Sequence, residues 1–325
     1  CPRKKDHAAL QAVRFVPATD GPPYVYATDG LRSALVVVDA ATLPNVLLSS
    51  VDLAKVTKDT GELRIEERGY GWVDLITDVG VYAMQSRSFD HFPALPPAPT
   101  AESFYAVTRG EWRSIAKVFH AVGRDDPELA VVHWAPEYVE ATDKNRLVRV
   151  MAAGPWDGLV PAVTFRVWPK GEVQCSFTET HAFFWVGEEM RIGHLLSTAN
   201  YPKTDRVLPA EHVGPSIVVP TKPVYEAVKQ GSELSELGMV TLEISDHLVV
   251  RAWSEKQETS RYEASIEIFD GSGHAAMVLV TGKYLAEALA QIDVPNFFLG
   301  FGGFSDPIRI EAGPYIACVW QLVYG

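Results

Sequence analysis

A chain of 325 residues with 47% hydrophobic and 22% charged residues is ordinary for a globular protein and long enough for two or three domains. No apolar run approaches a membrane span, and the start, CPRKKDHAAL, has no signal-peptide core. The net charge of −12 argues against a uniformly nucleic-acid-binding surface, though a local basic face can still hold phosphate, so the placement of the 29 Lys and Arg residues matters.

The three cysteines, Cys1, Cys175 and Cys318, form no CxxC pair, and the nine histidines show no HExxH. This argues against a disulfide framework, a zinc ribbon or any other metal site, implies no cofactor, and fits a reducing cytoplasm. The chain begins at Cys1 without an initiator Met, which suggests a trimmed N-terminus.

Up to about residue 98, the runs ALQAVRFV, PPYVYATDG, LRSALVVVDA, ELRIEERG, GWVDLITDVG and VYAMQSRS predict strands. One helix interrupts them: Ser49-Ser50-Val51-Asp52 has N-cap chemistry, and LAKVTK sets Lys55 and Lys58 on one face. The Pro-rich stretch from Phe92 to Pro99 predicts a linker.

A strand, Phe104 to Thr108, then leads into the clearest helical pattern, Arg109 to Val122, ended by Gly123. Trp112, Ile115, Ala116, Phe119 and Val122 make an apolar stripe. Arg109, Arg113, Lys117 and His120, with Arg124 beyond, make a basic ridge opposite. Strands are predicted at Leu129–Trp134, Tyr138–Thr142, Arg146–Ala152, Ala162–Val167, Glu172–Thr178 and Ala182–Val186.

The last third begins with a strand, Ser216–Val219, and a helix, Lys222–Gln230, with Pro223 in its first turn. Strands follow at Met239–Ile244, His247–Trp253, Tyr262–Phe269 and Ala275–Val280. A helix at Gly282–Ile292 and strands at Phe297–Gly300, Ile308–Glu311 and Tyr315–Leu322 complete an α+β pattern.

The sequence repeats itself. ATDGLRSALV begins at Ala27 and ATDKNRLVRV at Ala141, both Ala-Thr-Asp, two variable residues, then Arg. Phe92-Pro93 and Tyr201-Pro202 recur at nearly the same interval, roughly 110 residues, which points to a duplicated module. Three modules follow: 1–98, 99–209 and 210–325.

With these motifs the chain resembles the bacterial DNA polymerase III beta sliding clamps. The resemblance spans essentially the whole chain. It rests on ATDGLRSALVVV and ATDKNRLVRV, on HFPALP and NYPKTDRVLP at module ends, on TGKYLAEAL, and on PIRIEAGPYIACVWQL. It implies a DNA clamp fold in which three similar sheet-plus-helix modules make half of a ring, two chains join head to tail as a homodimer, and duplex DNA passes through without sequence-specific contact. The residues placed on the hole are then Lys55, Lys58, Arg109, Arg113, Lys117, Arg124, Lys222, Lys229 and Lys283; the plainer alternative is a solvated helix face. Ring closure would use an edge strand where Tyr82 and Met84 alternate, unless both pack inward.

The resemblance also implies a pocket in which a replicative polymerase, a clamp loader and repair proteins dock a short peptide with an apolar end. Its walls would be Thr142, Arg146 and Leu147; Pro202, Arg206 and Val207; Thr281 and Tyr284; Ile316, Ala317 and Cys318; and Leu237 and Pro307. The alternative is that ATDxxR is only a hairpin turn closed by its Arg and that Tyr284 is core. The turn is the preferred reading for Asp29 to Arg32, and the pocket for the second copy.

The chain departs from the family pattern in three places. Its tail reads CVWQLVYG rather than a Met-Pro-x-Arg-Leu-like ending, Gly158 to Glu172 is too short and β-branched for a second helix in that module, and most of the first module's opening strand and helix is absent. A divergent phage- or plasmid-borne clamp would fit.

No catalytic constellation is visible. Asp125-Asp126 and Glu188-Glu189 lie beside turn residues, Gly300–Phe304 lacks the Lys-Ser/Thr of a phosphate loop, and Gly271-Ser272-Gly273 lacks a nucleophile-elbow frame. The competing function is a clamp-fold protein that engages replication proteins without encircling DNA, as a decoy or resistant substitute.

Overall fold

The computed structural model describes residues 10–19, 21–40, 42–58, 61–97, 99, 104–152, 154, 156–166, 172–208, 214–254, 260–272, 275–302 and 306–322. In chain order the elements begin with β1 (Ala12–Val16), β2 (Tyr24–Thr28), β3 (Arg32–Val37), β4 (Val46–Ser49) and α1 (Ser50–Val56). Next come β5 (Arg64–Gly69), β6 (Trp72–Ile76), β7 (Val81–Gln85), β8 (Tyr105–Val107) and α2 (Arg109–Ala116). The middle holds β9 (Val131–Trp134), β10 (Tyr138–Thr142), β11 (Arg146–Met151), β12 (Gly158–Pro161), β13 (Val173–Phe177), β14 (His181–Val186) and β15 (Met190–Leu195). Then follow β16 (Ser216–Pro220), α3 (Thr221–Leu234), β17 (Met239–Ile244), β18 (His247–Trp253), β19 (Arg261–Glu267) and β20 (Asp270–Ser272). The last are β21 (Ala276–Thr281), α4 (Gly282–Leu289), β22 (Asn296–Gly300), β23 (Ile308–Ala312) and β24 (Tyr315–Val319).

The chain divides into two units, one of Cys1–Arg109 with Arg166–Leu196, the other of Gly110–Phe165 with Ser197–Gly325. In the first, eight strands pair in the order β4-β1-β2-β3-β15-β14-β13-β8, beside a three-stranded sheet β5-β6-β7. Phe15, Val46 and Leu48 of the large sheet meet Val73 and Leu75 of the small one in a core cluster, sealed by Leu53 and Val56 of α1. Desolvation of these side chains, at about 25 cal/mol per Å² of apolar surface, is what holds the two sheets together.

In the second unit, nine strands pair in the order β12-β9-β10-β11-β24-β23-β22-β16-β20, beside a four-stranded sheet β19-β18-β17-β21. Antiparallel register sets Leu147 opposite Cys318 and Arg146 opposite Val319 where β11 meets β24. Helix α3 buries Val224, Ala227, Val228 and Gly231. Helix α4 starts hard against it: a Cβ on Gly282 would stand 2.7 Å from Ser232 Cβ, so only glycine fits this close approach.

Several elements differ from the sequence expectation. The expected helix Arg109–Val122 is α-helical only to Ala116 and tightens to a 3-10 turn at Phe119–Ala121. The cause is visible in the burial: Trp112, Ile115, Val118 and Ala121 are all at or below 6% exposed, a three-residue step that matches the 3-10 period, whereas Ala116 and Phe119 are only half-buried. The stretch Ala162–Val167, expected as a strand, is a 3-10 turn at Ala162–Arg166, with Val167 outside the described residues. Strands β12 and β15 were not anticipated, because Gly158, Pro161 and Gly193 interrupt the apolar runs. Helix α1 ends at Val56 with Thr57 as its C-cap, so Lys58 lies past the helix rather than on its face with Lys55.

Candidate functional site

The duplicated Ala-Thr-Asp-x-x-Arg stretch is the same turn built twice, closing β2–β3 and β10–β11. In the first copy Thr28 Oγ1 donates to Arg32 C=O at 2.7 Å and accepts from Gly30 N–H at 3.0 Å. Asp29 Oδ1 accepts from the Leu31 and Arg32 amides, and Oδ2 from Arg32 Nε at 2.7 Å. In the second copy Thr142 Oγ1 donates to Arg146 C=O at 2.7 Å and accepts from Lys144 N–H at 3.2 Å. Asp143 accepts from the Asn145 and Arg146 amides and from Arg146 Nε, each at 3.0 Å. Thr and Asp satisfy the turn's amides and Arg neutralises the carboxylate, which explains why the trio recurs together.

What distinguishes the second copy is what its arginine reaches. Arg146 is buried and its Nη1 pairs with Glu287 of α4. Its guanidinium carbon lies 4.4 Å from the centroid of the Tyr284 ring, also on α4, a cation–π stack. The same Nη1 lies 3.4 Å from His120 Nδ1. An arginine can only donate, so Nδ1 accepts and His120 Nε2–H donates onward to Tyr315 Oη at 3.2 Å, which donates to Ala288 C=O at 3.0 Å. Burial, with Arg146 beside it, pushes the His120 pKa down to about 3, so the ring is neutral at pH 7.

The remaining residues assigned to the pocket fall into three groups. Leu147, Ala317 and Cys318 are 1%, 0% and 1% exposed, enclosed in the β11–β24 ladder, and burial pushes the Cys318 thiol up to about 12. Thr142 is likewise buried, in its turn. Thr281, Tyr284, Pro307, Ile316 and Val207 are half-buried and offer part of their surface. Pro202, Arg206 and Leu237 are exposed.

Pro202 and Arg206 lie at the lip of a cavity of about 560 Å³, lined also by His133, Tyr138, Asp157, Leu159, Tyr201 and Thr204. A polar cluster lies alongside it that the sequence reading missed. Glu140, 0% exposed, is reached by Arg149 Nε at 2.9 Å, Thr204 Oγ1 at 2.7 Å and His133 Nδ1 at 2.9 Å. Arg149 also pairs with Asp205 at 2.8 Å, and His133 Nε2 faces Asp157 Oδ1 at 2.8 Å. Burial works against the His133 charge, but the bonds to Glu140 and Asp157 outweigh it and raise its pKa. The signal was available: the Asp143–Arg146 turn fixes a hairpin register that sets Glu140 opposite Arg149.

The basic residues assigned to the hole are uneven. Lys55, Lys58, Arg109, Arg113, Arg124, Lys222, Lys229 and Lys283 are exposed. Lys117 is only half-buried and pairs with Asp293 at 3.0 Å, and His120 is half-buried and neutral, so the expected ridge is broken at two places. Lys55 pairs with Asp52 at 2.9 Å, and Lys222 lies 3.9 Å from Glu226. Of the two edge-strand residues, Tyr82 is exposed and Met84 packs against the core cluster of the first unit. Both line a cavity of about 870 Å³ together with Asp52, Lys55 and Arg87. Strand β7 has no neighbour on its outer side among the described residues.

No helix among the described residues is long and apolar enough to cross a membrane, and no group of His, Cys, Asp and Glu there could hold a metal ion. Gly271-Ser272, expected as part of a hairpin turn, instead belongs to strand β20 paired with β16, while Gly273 and the 303–304 part of the glycine-rich stretch lie outside the described residues.

These sheets and helices define a known architecture: the chain has the DNA polymerase III beta-subunit sliding-clamp fold. The DNA polymerase sliding clamp from Bacillus subtilis superposes with a TM-score of 0.86 at 17% identity, covering 100% of this chain and 94% of that one. The beta subunit of the Streptococcus pyogenes DNA polymerase gives 0.84 at 18% identity, covering 99% and 94%. A putative DNA polymerase III beta subunit from Eubacterium rectale gives 0.86 at 14% identity, covering 99% and 93%. By sequence, no family model matches the chain and no curated protein matches it.

Proposed function

We propose that this protein is a DNA sliding clamp, a non-catalytic processivity factor for a replicative polymerase. Two copies close head to tail into a ring around duplex DNA, each contributing three modules with boundaries near residues 98 and 209. Polymerase, clamp loader and repair proteins dock a short peptide beside Arg146 and Tyr284. The observation that carries this is the likeness to sliding clamps over nearly the whole chain at TM-scores of 0.84 to 0.86. Fold alone does not assign function, so the site must agree. Tyr284, Val207 and Ile316, half-buried, and Pro202 and Arg206, exposed, have the mix of apolar surface and polar fixer that holds an extended peptide, which supports the reading. The ring-closing strand in this reading is β7, whose outer side is unpaired among the described residues and carries exposed Val81 and Tyr82.

A second reading, a clamp-fold protein that binds replication proteins without encircling DNA, draws on the charge pattern. Lys117 is neutralised by Asp293, and Lys222 stands beside Glu226. Light scattering at micromolar concentration separates the two. A mass of twice the 35.7 kDa chain supports the ring, and a monomer moves the decoy reading ahead.

A further inference from the structure

The 201–206 segment carries Pro202 and Arg206 of the proposed pocket wall, yet its only regular structure is a 3-10 turn at Thr204–Arg206. Its own packing does little to hold it, since Pro202, Lys203, Asp205 and Arg206 are exposed and Tyr201 is half-buried. Thr204 is the exception, buried against Glu140. Glu140 is a fully buried carboxylate on β10, and it gathers Thr204 Oγ1, Arg149 and His133 within 2.9 Å. Arg149 in turn holds Asp205 at 2.8 Å and Thr204 Oγ1 at 3.1 Å, while stacking 3.6 Å from the Tyr138 ring centroid. Two consecutive residues of the segment are therefore anchored, directly or through Arg149, to one carboxylate in the sheet.

We propose that Glu140 is the positioning residue of the pocket wall: through Thr204 and the Arg149–Asp205 pair it sets where Pro202 and Arg206 stand, and His133 makes the charge of the cavity they line depend on pH. The role in docking rests on the peptide-binding reading given above; the anchoring of the segment does not.

The coupling follows from the two faces of His133. Glu140 and Tyr138 face it from β10, Asp157 from the residue before β12, and the Tyr201 ring from the segment at 5.2 Å between centroids. Arg149 reaches it through Glu140. Both ring nitrogens meet carboxylate oxygens, and the raised pKa means that below the ordinary histidine value of 6.5 the ring is doubly protonated and donates twice. On losing one proton it can donate only once. The buried Glu140 has no water to replace that bond, so it keeps the Nδ1 proton and the exposed Asp157 is released. Glu140 keeps its anchors, so what changes is the charge of the cavity: Asp157 loses its imidazolium partner in the same cavity that Pro202 and Arg206 line.

Hydrogen exchange and peptide binding test this together. The Val207 and Leu208 amides both bond to Thr204 C=O, at 2.8 and 3.2 Å, and report on the segment directly. Thr204→Val removes the bond to Glu140 without stranding a buried charge, and Glu140→Gln is the companion variant. Both should speed exchange at Val207 and Leu208 roughly tenfold, the worth of one buried hydrogen bond, while β9 to β11 stay protected. They should also weaken a labelled peptide ending in Leu-Phe by roughly threefold to tenfold. Wild-type affinity should fall as pH rises above 6.5, and His133→Gln should flatten that profile. Unchanged exchange in both variants overturns the anchoring. Faster exchange with unchanged peptide affinity overturns the positioning role. If wild type binds no peptide at any pH, the docking reading fails, and exchange alone still decides whether Glu140 holds the segment.

Discussion

Gly30 and Lys144 occupy the same position of the same turn, with φ at 87° and 76°. Glycine takes this left-handed conformation freely, whereas a lysine there is strained by about 1 kcal/mol. The Lys144–Asp126 bridge at 2.8 Å is exposed and offsets little of that. Lys144→Gly should therefore leave stability unchanged or raise it by up to about 1 kcal/mol, and Gly30→Lys should lower it by about the same amount. Urea midpoints of the two variants check both signs.

Histidine burial sets the acid limit. Desolvation, with Arg146 beside it, holds the half-buried His120 down to about 3, and burial with Arg32 nearby holds His194 down to about 4. The unfolded chain binds these protons near 6.5, so stability is full above that value and falls as pH drops toward 4, by about 1.4 kcal/mol per pH unit for each histidine. His133 has the opposite sign: its pKa is raised, so its contribution is full below 6.5 and is lost as pH rises through the higher value. Urea midpoints measured across pH should fall less steeply on the acid side for His120→Gln with His194→Gln than for wild type.

Arg146 joins the β10–β11 turn to α4 through Asp143, Glu287 and the Tyr284 ring. A lysine keeps the charge but cannot reach all three at once. Arg146→Lys should cost about 2 kcal/mol of stability, of the order of two charged hydrogen bonds partly removed. Tyr284→Ala should leave the oligomer intact and weaken peptide binding roughly tenfold or more, since aromatic anchors dominate such sites. Fluorescence anisotropy with light scattering on the same samples separates the two effects.

Among the basic residues, those without a close acidic partner should matter for DNA. Arg113→Glu with Arg124→Glu should lower retention on DNA and reduce the salt slope by about one for each phosphate that is no longer neutralised. Lys117→Gln should change it little, because Asp293 already answers that charge. A salt titration of all three proteins shows whether the slopes divide this way.

Much of this architecture was legible in the chain. The repeat at Ala27 and Ala141 was legible, but a turn was preferred only for the first copy; the second is the same turn, because Thr, Asp and Arg each satisfy a specific backbone or side-chain partner in both. The helix after Arg109 was legible in place but not in pitch, since a stripe stepping by three and four fits both helix types and only burial of Val118 and Ala121 separates them. The Glu140 cluster went unread because a lone Glu in YVEAT looks like an outward strand residue. Its burial comes from Thr204, distant in sequence, folding over it. Leu147, Ala317 and Cys318 were assigned to the pocket wall from the resemblance alone, and they are enclosed instead, because depth below the surface is a property of packing that the motif does not carry.

The central claim is topological, and retention on DNA tests it most directly. The protein is loaded onto nicked circular plasmid, with a clamp loader supplied, and washed at high salt before and after the circle is cut. Ordinary phosphate contacts weaken by roughly 10³ to 10⁵ in affinity between about 50 and 200 mM salt whatever the ends of the DNA. A closed ring should survive the wash on circles and slide off once they are linearised. Equal loss from circular and linear DNA would contradict encirclement and leave a clamp-fold binding protein.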